Sequence, residues 1–364
     1  MDQTSSVVLA RQLIEPEQFP WHTVYAPGIV DRFRLKVALK LELRWHPACY
    51  HAAIQKHQPA ILHSHFGNVG WYDLPLASIY GLKHVVTFYG ADMSLLPARK
   101  PIWRERYQEL FAHAALFLCE GPHMARKLVE LGCPEVKVQV QRLGVLTEQI
   151  GYIPRKLEEN EPLRILVAGT FREKKGIPDA LEAIGRLHQA GFAIQATVIG
   201  DSRGFPQDEI EKRKILALIE KYRLQPITRM LGYQSHANLM AEAYQHHVFL
   251  SPSVTASDGD TEGGAPVVII EMAASGMPVV STRHCDIPQV ILDGRTGWLA
   301  DEHNITELVD HLRWLIEHPQ QWKTRTDLGR KHIEANFDVR LQAASLGDIY
   351  QKLAGNGWQA AKLA

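Results

Sequence analysis

Short apolar runs alternate with longer segments of helical periodicity along the chain. In the first half, residues 7–10, 61–65, 84–88, 116–119 and 136–141 have the length and composition of buried strands. Between them lie helical patterns, such as 124–131 after the Gly121-Pro122 breaker. The stretch 150–162, with two prolines and mixed charges, reads as a linker, after which the alternation starts afresh. Strands are predicted at 165–168, 196–199, 227–231, 248–251 and 278–281, with helices at 178–190 and 339–353. Strand–helix alternation implies parallel sheets with right-handed crossovers. Two such series imply an α/β chain of two Rossmann-like, doubly wound domains facing each other across a cleft. The expected boundaries are 1–150, a linker at 151–162, 163–335, and a C-terminal helix at 336–364 that returns to the first domain.

Composition narrows the function classes. Lys and Arg together number 40, and so do Asp and Glu, so no basic surplus supports nucleic-acid binding. The four cysteines form no Cys-x-x-Cys pair and read as free thiols of a reducing compartment. No apolar run reaches membrane-span length, and the first residues lack a signal-peptide pattern. A cytoplasmic protein is expected, or one attached to a membrane surface from that side. Residues 32–45 bear on the second option: on a helix, Arg32, Lys36, Lys40 and Arg44 form a stripe beside Phe33, Val37, Leu41 and Trp45. That stripe suits an anionic membrane surface. It equally suits a helix packed on the sheet with a solvated basic edge, and this second role is the one expected.

The candidate chemistry lies at 261–276, TEGGAPVVIIEMAASG. Gly263 and Gly264 permit close backbone approach. Pro266 suits the first helical position, and the amides around Ala265, Val267 and the next residue then offer a phosphate site at the positive end of the helix dipole. Glu271, over a turn further on, can accept hydrogen bonds from ribose hydroxyls, and Glu262 lies nearer the sugar end of such a ligand. Glycine, proline and glutamate also occur at helix starts that bind nothing, so on these residues alone both readings stay open.

The segment 251–300 resembles the signature of the retaining family-4 glycosyltransferases of the GT-B fold: a pair of glutamates, here Glu262 and Glu271, followed by Gly276, Pro278, Val279, Pro288, Asp293, Gly294 and Gly297. Eight residues separate the glutamates where the family has seven, and Gln289 stands where glutamate is frequent. The resemblance implies that Glu271 holds the donor ribose and Glu262 faces the transferred sugar. A second patch, ILVAGTFREKKGIPDAL, is similar to the family's strand ending in Gly-Arg followed by a lysine. Gly169 and Lys175 match it; Thr170 replaces the arginine, and Arg172 is the candidate substitute on the diphosphate. The first domain is similar to the exopolysaccharide branch of the family, of the colanic-acid type, through 61–70, 85–94 and 118–145. Tyr89 stands where many relatives have histidine. His65 and Asp92, at strand ends, are the candidates for acceptor contacts.

The implied reaction is sugar transfer from a nucleotide diphosphate sugar to a glycan or lipid-linked glycan acceptor, with no metal or other cofactor. Three rivals stand beside it. Asp258-Gly259-Asp260 has the form of a metal–nucleotide clamp. A GT-B-fold epimerase or phosphorylase would share the architecture. A catalytically silent nucleotide-sugar-binding subunit would share the site. No glycine precedes Gly28, so the family's first N-terminal strand and Gly-rich loop are expected to lie upstream of the given start.

Overall fold

The computed structural model describes residues 6–14, 17, 21 and 23–355. Every strand pairing within its sheets is parallel. In the N-terminal half, β1 (Val8–Leu9) and β2 (Val24–Tyr25) form a pair of their own. β3 (Ile61–His65), β4 (Lys83–Thr87), β5 (Leu116–Cys119) and β6 (Val138–Val140) form a four-stranded sheet in sequential order.

The C-terminal half contains β7 (Leu163–Ala168), β8 (Ile194–Ile199), β9 (Thr228–Met230), β10 (Val248–Ser251), β11 (Val279–Thr282) and β12 (Trp298–Ala300). Their order is β12-β11-β10-β7-β8-β9. The chain therefore reverses direction between β7 and β10, the place where open α/β sheets leave a crevice at their carboxyl ends.

The apolar runs are continuous because both sheet faces are covered. Ile165 and Val167 of β7 enter one core with the Ile177–Gln189 helix, whereas Leu166 enters the other with Phe249, Ile269 and Ile270. In the N-terminal sheet, Val86 packs under Phe88, Trp103 and Tyr107. Val85 and Leu118 point the other way, against Ile349 of the Val339–Ala354 helix. That last helix thus lies on the N-terminal sheet, and its Tyr350 hydroxyl meets His63 Nδ1. All four cysteines are free.

The segment 151–162 carries no helix or strand, yet it is firmly held. The buried Arg155 donates to the carbonyls of His246, Ser275, Ala243 and Ile153. Burial lowers its guanidinium to about 10. From the Trp322–Phe337 helix, Arg330 donates to the carbonyls of Thr147, Ile150 and Ala274.

The helix expected over 32–45 spans Ile29–Lys40 instead. It ends before Glu42, whose φ of 59° leaves the helical region. Arg44 and Trp45 are therefore off the stripe, and the Arg44 guanidinium stacks 3.7 Å from the Trp71 ring centroid. The helix does pack on the N-terminal core with its lysines exposed, but through Leu35, Ala38 and Leu39 and not through the row beside the basic stripe. Phe33, Val37 and Leu41 are exposed, and Leu35 and Ala38 are the buried residues. Among the described residues no helix is long and apolar enough to cross a membrane.

Candidate active site

Three loops meet at the carboxyl ends of β7 and β10. Gly169 ends β7 so close to the following 3-10 turn, Glu173–Lys175, that a Cβ on it would lie 3.3 Å from Lys175 Cγ. Gly176 closes the turn at φ 60°, where a Cβ would stand 1.8 Å from the Pro252 carbonyl oxygen. A side chain at Gly176 would push the lysine loop off β10, whereas one at Gly169 would only crowd the Lys175 side chain.

Lys175 Nζ lies 2.8 Å from Glu262 Oε1, and the Ser253 hydroxyl donates to the same oxygen at 2.9 Å. Lys174 Nζ stands 3.7 Å from Glu262 and 3.4 Å from Asp260, and donates to the Thr261 carbonyl. Arg172 pairs with Asp260. Burial raises the Glu262 carboxyl, but the Lys175 and Lys174 charges and the bonds from Lys175 and Ser253 outweigh it, holding the group below the usual carboxylate range. Three cations and two carboxylates thus form one network, in which Lys175 and Arg172 keep part of their side chains exposed. The Glu262 amide donates to His284 Nε2, whose Nδ1 faces Glu302 Oε1 at 2.6 Å.

The sequence reading of Asp258-Gly259-Asp260 as a clamp meets a different arrangement. Asp258 pairs with Arg99 at 2.7 Å, and the buried Asp260 with Arg172 and Lys174, so cations engage both carboxylates.

The helix after the glycine pair is Val267–Ala274, one residue later than expected, with Pro266 as its capping residue. Gly263 has φ 79°, and Gly264 abuts Glu120: a Cβ there would lie 1.9 Å from a Glu120 carboxylate oxygen. Ala265 is partly buried, whereas Val267 is exposed at the helix start. Glu271, in the second turn, sits 2.8 Å from His236 Nε2. Among the described residues its ion pair is with this histidine of the His236–Gln245 helix and not with the cations around Glu262.

The N-terminal candidates separate. His65 keeps solvent-exposed surface and its Nδ1 lies 2.6 Å from the Tyr89 hydroxyl. Surrounding protein lowers its imidazole below the ordinary histidine range. Asp92 is buried: it accepts from the Gly67 amide at 2.6 Å and the Tyr89 amide at 2.9 Å. Burial raises it to about 6 against the pull of those amides. Its position is that of a loop brace at the start of the Gly67–Ile79 helix, whereas the sequence reading had it as a candidate for acceptor contacts.

Three further residues escaped the sequence reading: Glu120, Lys174 and Asp286. Asp286 crosses between domains, accepting from the His123 and Met124 amides at the start of the Pro122–Glu130 helix. Glu120 follows β5, and position at a strand's carboxyl end was the available signal for it.

Residues 151–334 match the family model of glycosyl transferases group 1, and residues 6–149 match that of glycosyltransferase family 4. An amylovoran biosynthesis glycosyltransferase of Erwinia amylovora is 32% identical over 297 residues, covering 80% of this chain and 69% of its own. A glycosyltransferase assigned to colanic acid biosynthesis in Escherichia coli (strain K12) is 32% identical over 296 residues, covering 80% and 70%. Among solved structures, the Anabaena HepE protein in complex with UDP superposes with a TM-score of 0.73 at 14% identity, covering 92% of this chain and 87% of its own. Sucrose-phosphate synthase from Thermosynechococcus elongatus gives 0.70 at 19% identity, covering 84% and 76%.

Proposed function

This chain belongs to the group 1 and family 4 glycosyltransferases, of GT-B fold, and on that premise we propose that it moves a sugar from a nucleotide diphosphate sugar to a glycan hydroxyl with retained anomeric configuration. The setting is synthesis of an exopolysaccharide, the process named for its 32%-identical relatives. Support for the donor class comes from HepE, solved with UDP and with UDP-glucose.

The observation that carries the reading is the cation network beside Glu262. A nucleotide diphosphate leaving group develops negative charge as the glycosidic bond breaks, and preorganised cations stabilise that charge. Lys175 and Arg172 are positioned for this, together with the amides at the start of the Val267–Ala274 helix. Each cation starts from a carboxylate partner, so diphosphate takes the place of a contact already made and the lysines need not wait desolvated. Glu271 holds the ribose hydroxyls and His236 orients its carboxylate. Glu262 faces the sugar. Retention follows if the acceptor hydroxyl attacks from the face the diphosphate leaves, with its proton passing to the departing phosphate oxygen. The protein then supplies position and charge, and no metal ion is needed. His65 is the acceptor-side contact on the N-terminal half.

Glu271→Ala and Glu262→Gln test this division of labour. Nucleotide-sugar binding is followed by calorimetry, and turnover is measured in EDTA. The first variant is expected to lose donor affinity by about tenfold or more, since a hydrogen bond to a charged group contributes about 1.5–3 kcal/mol. The second is expected to bind donor nearly as the parent does and to turn over far more slowly. Wild-type donor affinity in Glu271→Ala, or identical behaviour of both variants, sinks the assignment.

A further inference from the structure

Strands β3 and β4 end side by side, and the loops that follow them carry aromatic residues. The rings of Phe66, after β3, and Tyr89, after β4, meet with 4.8 Å between centroids. The His65 imidazole lies nearly parallel to Tyr89 at 6.0 Å and to His63 at 4.6 Å. Phe66 has a φ of 73°, in a region that glycine enters freely and a bulky residue does not. Its surroundings hold it there. The Phe66 amide donates to the Thr87 carbonyl. Gly67 leaves no space for a side chain, since a Cβ would stand 2.1 Å from the Phe88 ring. The buried Asp92 carboxyl ties the Gly67 and Tyr89 amides together and so fixes one loop against the other. Phe66 itself stays 47% exposed. An aromatic ring kept on unfavourable backbone and open to solvent adds little to the core, and such outliers gather at ligand sites.

Position and charge narrow the ligand. Tyr89 precedes Gly90, where a Cβ would stand 2.6 Å from the Glu262 carbonyl oxygen. The rings therefore lie one residue from the C-terminal domain's sugar-facing loop. Burial lowers the His63 imidazole to about 3, lowers that of His65 as well, and raises the Tyr89 phenol to about 12. At neutral pH these rings are uncharged. Besides the Tyr350 phenol, the ionisable groups that bear on Tyr89 are the acids Glu120 and Asp92, and neither attracts a phosphate. A pyranose ring offers C–H groups on its faces and hydroxyls on its rim. Aromatic faces cover the first, while the Tyr89 hydroxyl and the His65 ring nitrogen turned away from it suit the second.

On the reading that places the donor sugar beside Glu262, we propose that Phe66, Tyr89 and His65 form the acceptor subsite and that it selects an uncharged pyranose ring, stacked on the Phe66 and Tyr89 faces with a hydroxyl toward His65. Asp92 is the positioning residue that keeps the two ring-bearing loops in register.

The experiment is saturation-transfer-difference NMR on the purified full chain with saturating UDP. The probes are the methyl glycosides of glucose, galactose, mannose and fucose, set against glucose 6-phosphate and galactose 6-phosphate. At least one uncharged glycoside is expected to bind, with saturation strongest on the C–H protons of one ring face. Phe66→Ala should weaken that binding about tenfold, the scale of one lost aromatic contact, and Phe66→Tyr should restore it. The Phe66 ring lies largely outside the core, so Phe66→Ala should melt close to the parent. Calorimetry of UDP on the same samples separates the two readings: loss of UDP binding in the parent would count against the donor assignment, whereas intact UDP binding with no uncharged glycoside bound overturns the acceptor subsite. Tighter binding of either hexose phosphate, or parent-like glycoside binding in Phe66→Ala, overturns it too.

Discussion

Glu120 lies between the two domains, against Gly264, in company with other acids. Burial and then the Asp286, Asp92 and Glu262 charges push its carboxyl up to about 8, with Lys174 pulling the other way. A carboxyl raised on folding binds its proton more tightly in the folded state than in the unfolded one. The stability it contributes is fully present below its ordinary value of 4.5 and is lost as pH rises through about 8. Glu120→Gln removes that titration. We expect its melting temperature to hold between about pH 6 and 9 while that of the parent declines; parallel curves would show that Glu120 does not couple to folding. Sequence spacing singled out Glu262, Glu271 and Lys175 because their motif is local. Glu120 could not be singled out in that way. Its chemistry arises only when Asp92, Glu262 and Asp286, from separate loops, are folded around it. The same limit applied to Asp92, whose strand-end position suggested a ligand contact, whereas two backbone amides take up its oxygens.

At the scale of elements, strands with continuous apolar faces were readable. The expected strands at 61–65, 116–119 and 248–251 coincide with β3, β5 and β10. Two-residue β2 and three-residue β12 are too short to show a period. The Ile29–Lys40 helix misled for a different reason: Ile29, Phe33 and Val37 face outward, against the rule that apolar residues mark the core, while Leu35 and Ala38 are buried. Composition was likewise a poor guide to the connection at 151–162. Prolines and charges suggested a free linker, but Arg155 binds it to the backbone carbonyls of Ala243, His246 and Ser275. Arg155→Met leaves those carbonyls short of donors in a buried place. The expected cost is about 2–3 kcal/mol in denaturant unfolding, with the C-terminal domain the part weakened; a loss below about 0.5 kcal/mol would mean that water replaces the guanidinium without penalty.

For the molecule as a whole, the strand order places the Glu262 network at the crevice between β7 and β10, and the N-terminal domain closes over it at a few very short approaches. One is Gly90, where a Cβ would stand 2.6 Å from the Glu262 carbonyl oxygen. Gly90→Ala should hold the domains apart by a fraction of an ångström while leaving the C-terminal site intact. We expect kcat to fall by about 10- to 100-fold, the scale of a small misplacement of reacting groups, with nucleotide affinity unchanged; an undiminished kcat would show that the closed arrangement is not the working one. The route of the chain limits how the domains can part. It crosses between them near Val145 and returns near Asp338, and at that place the two passages lie side by side, with the Val145 amide donating to the Phe337 carbonyl and the Val339 amide to the Val145 carbonyl. A body joined along one edge swings like a door, and sliding or twisting would shear that edge first. Two passages held side by side by backbone hydrogen bonds leave the walls of the cleft fewer ways to part than a single crossing would.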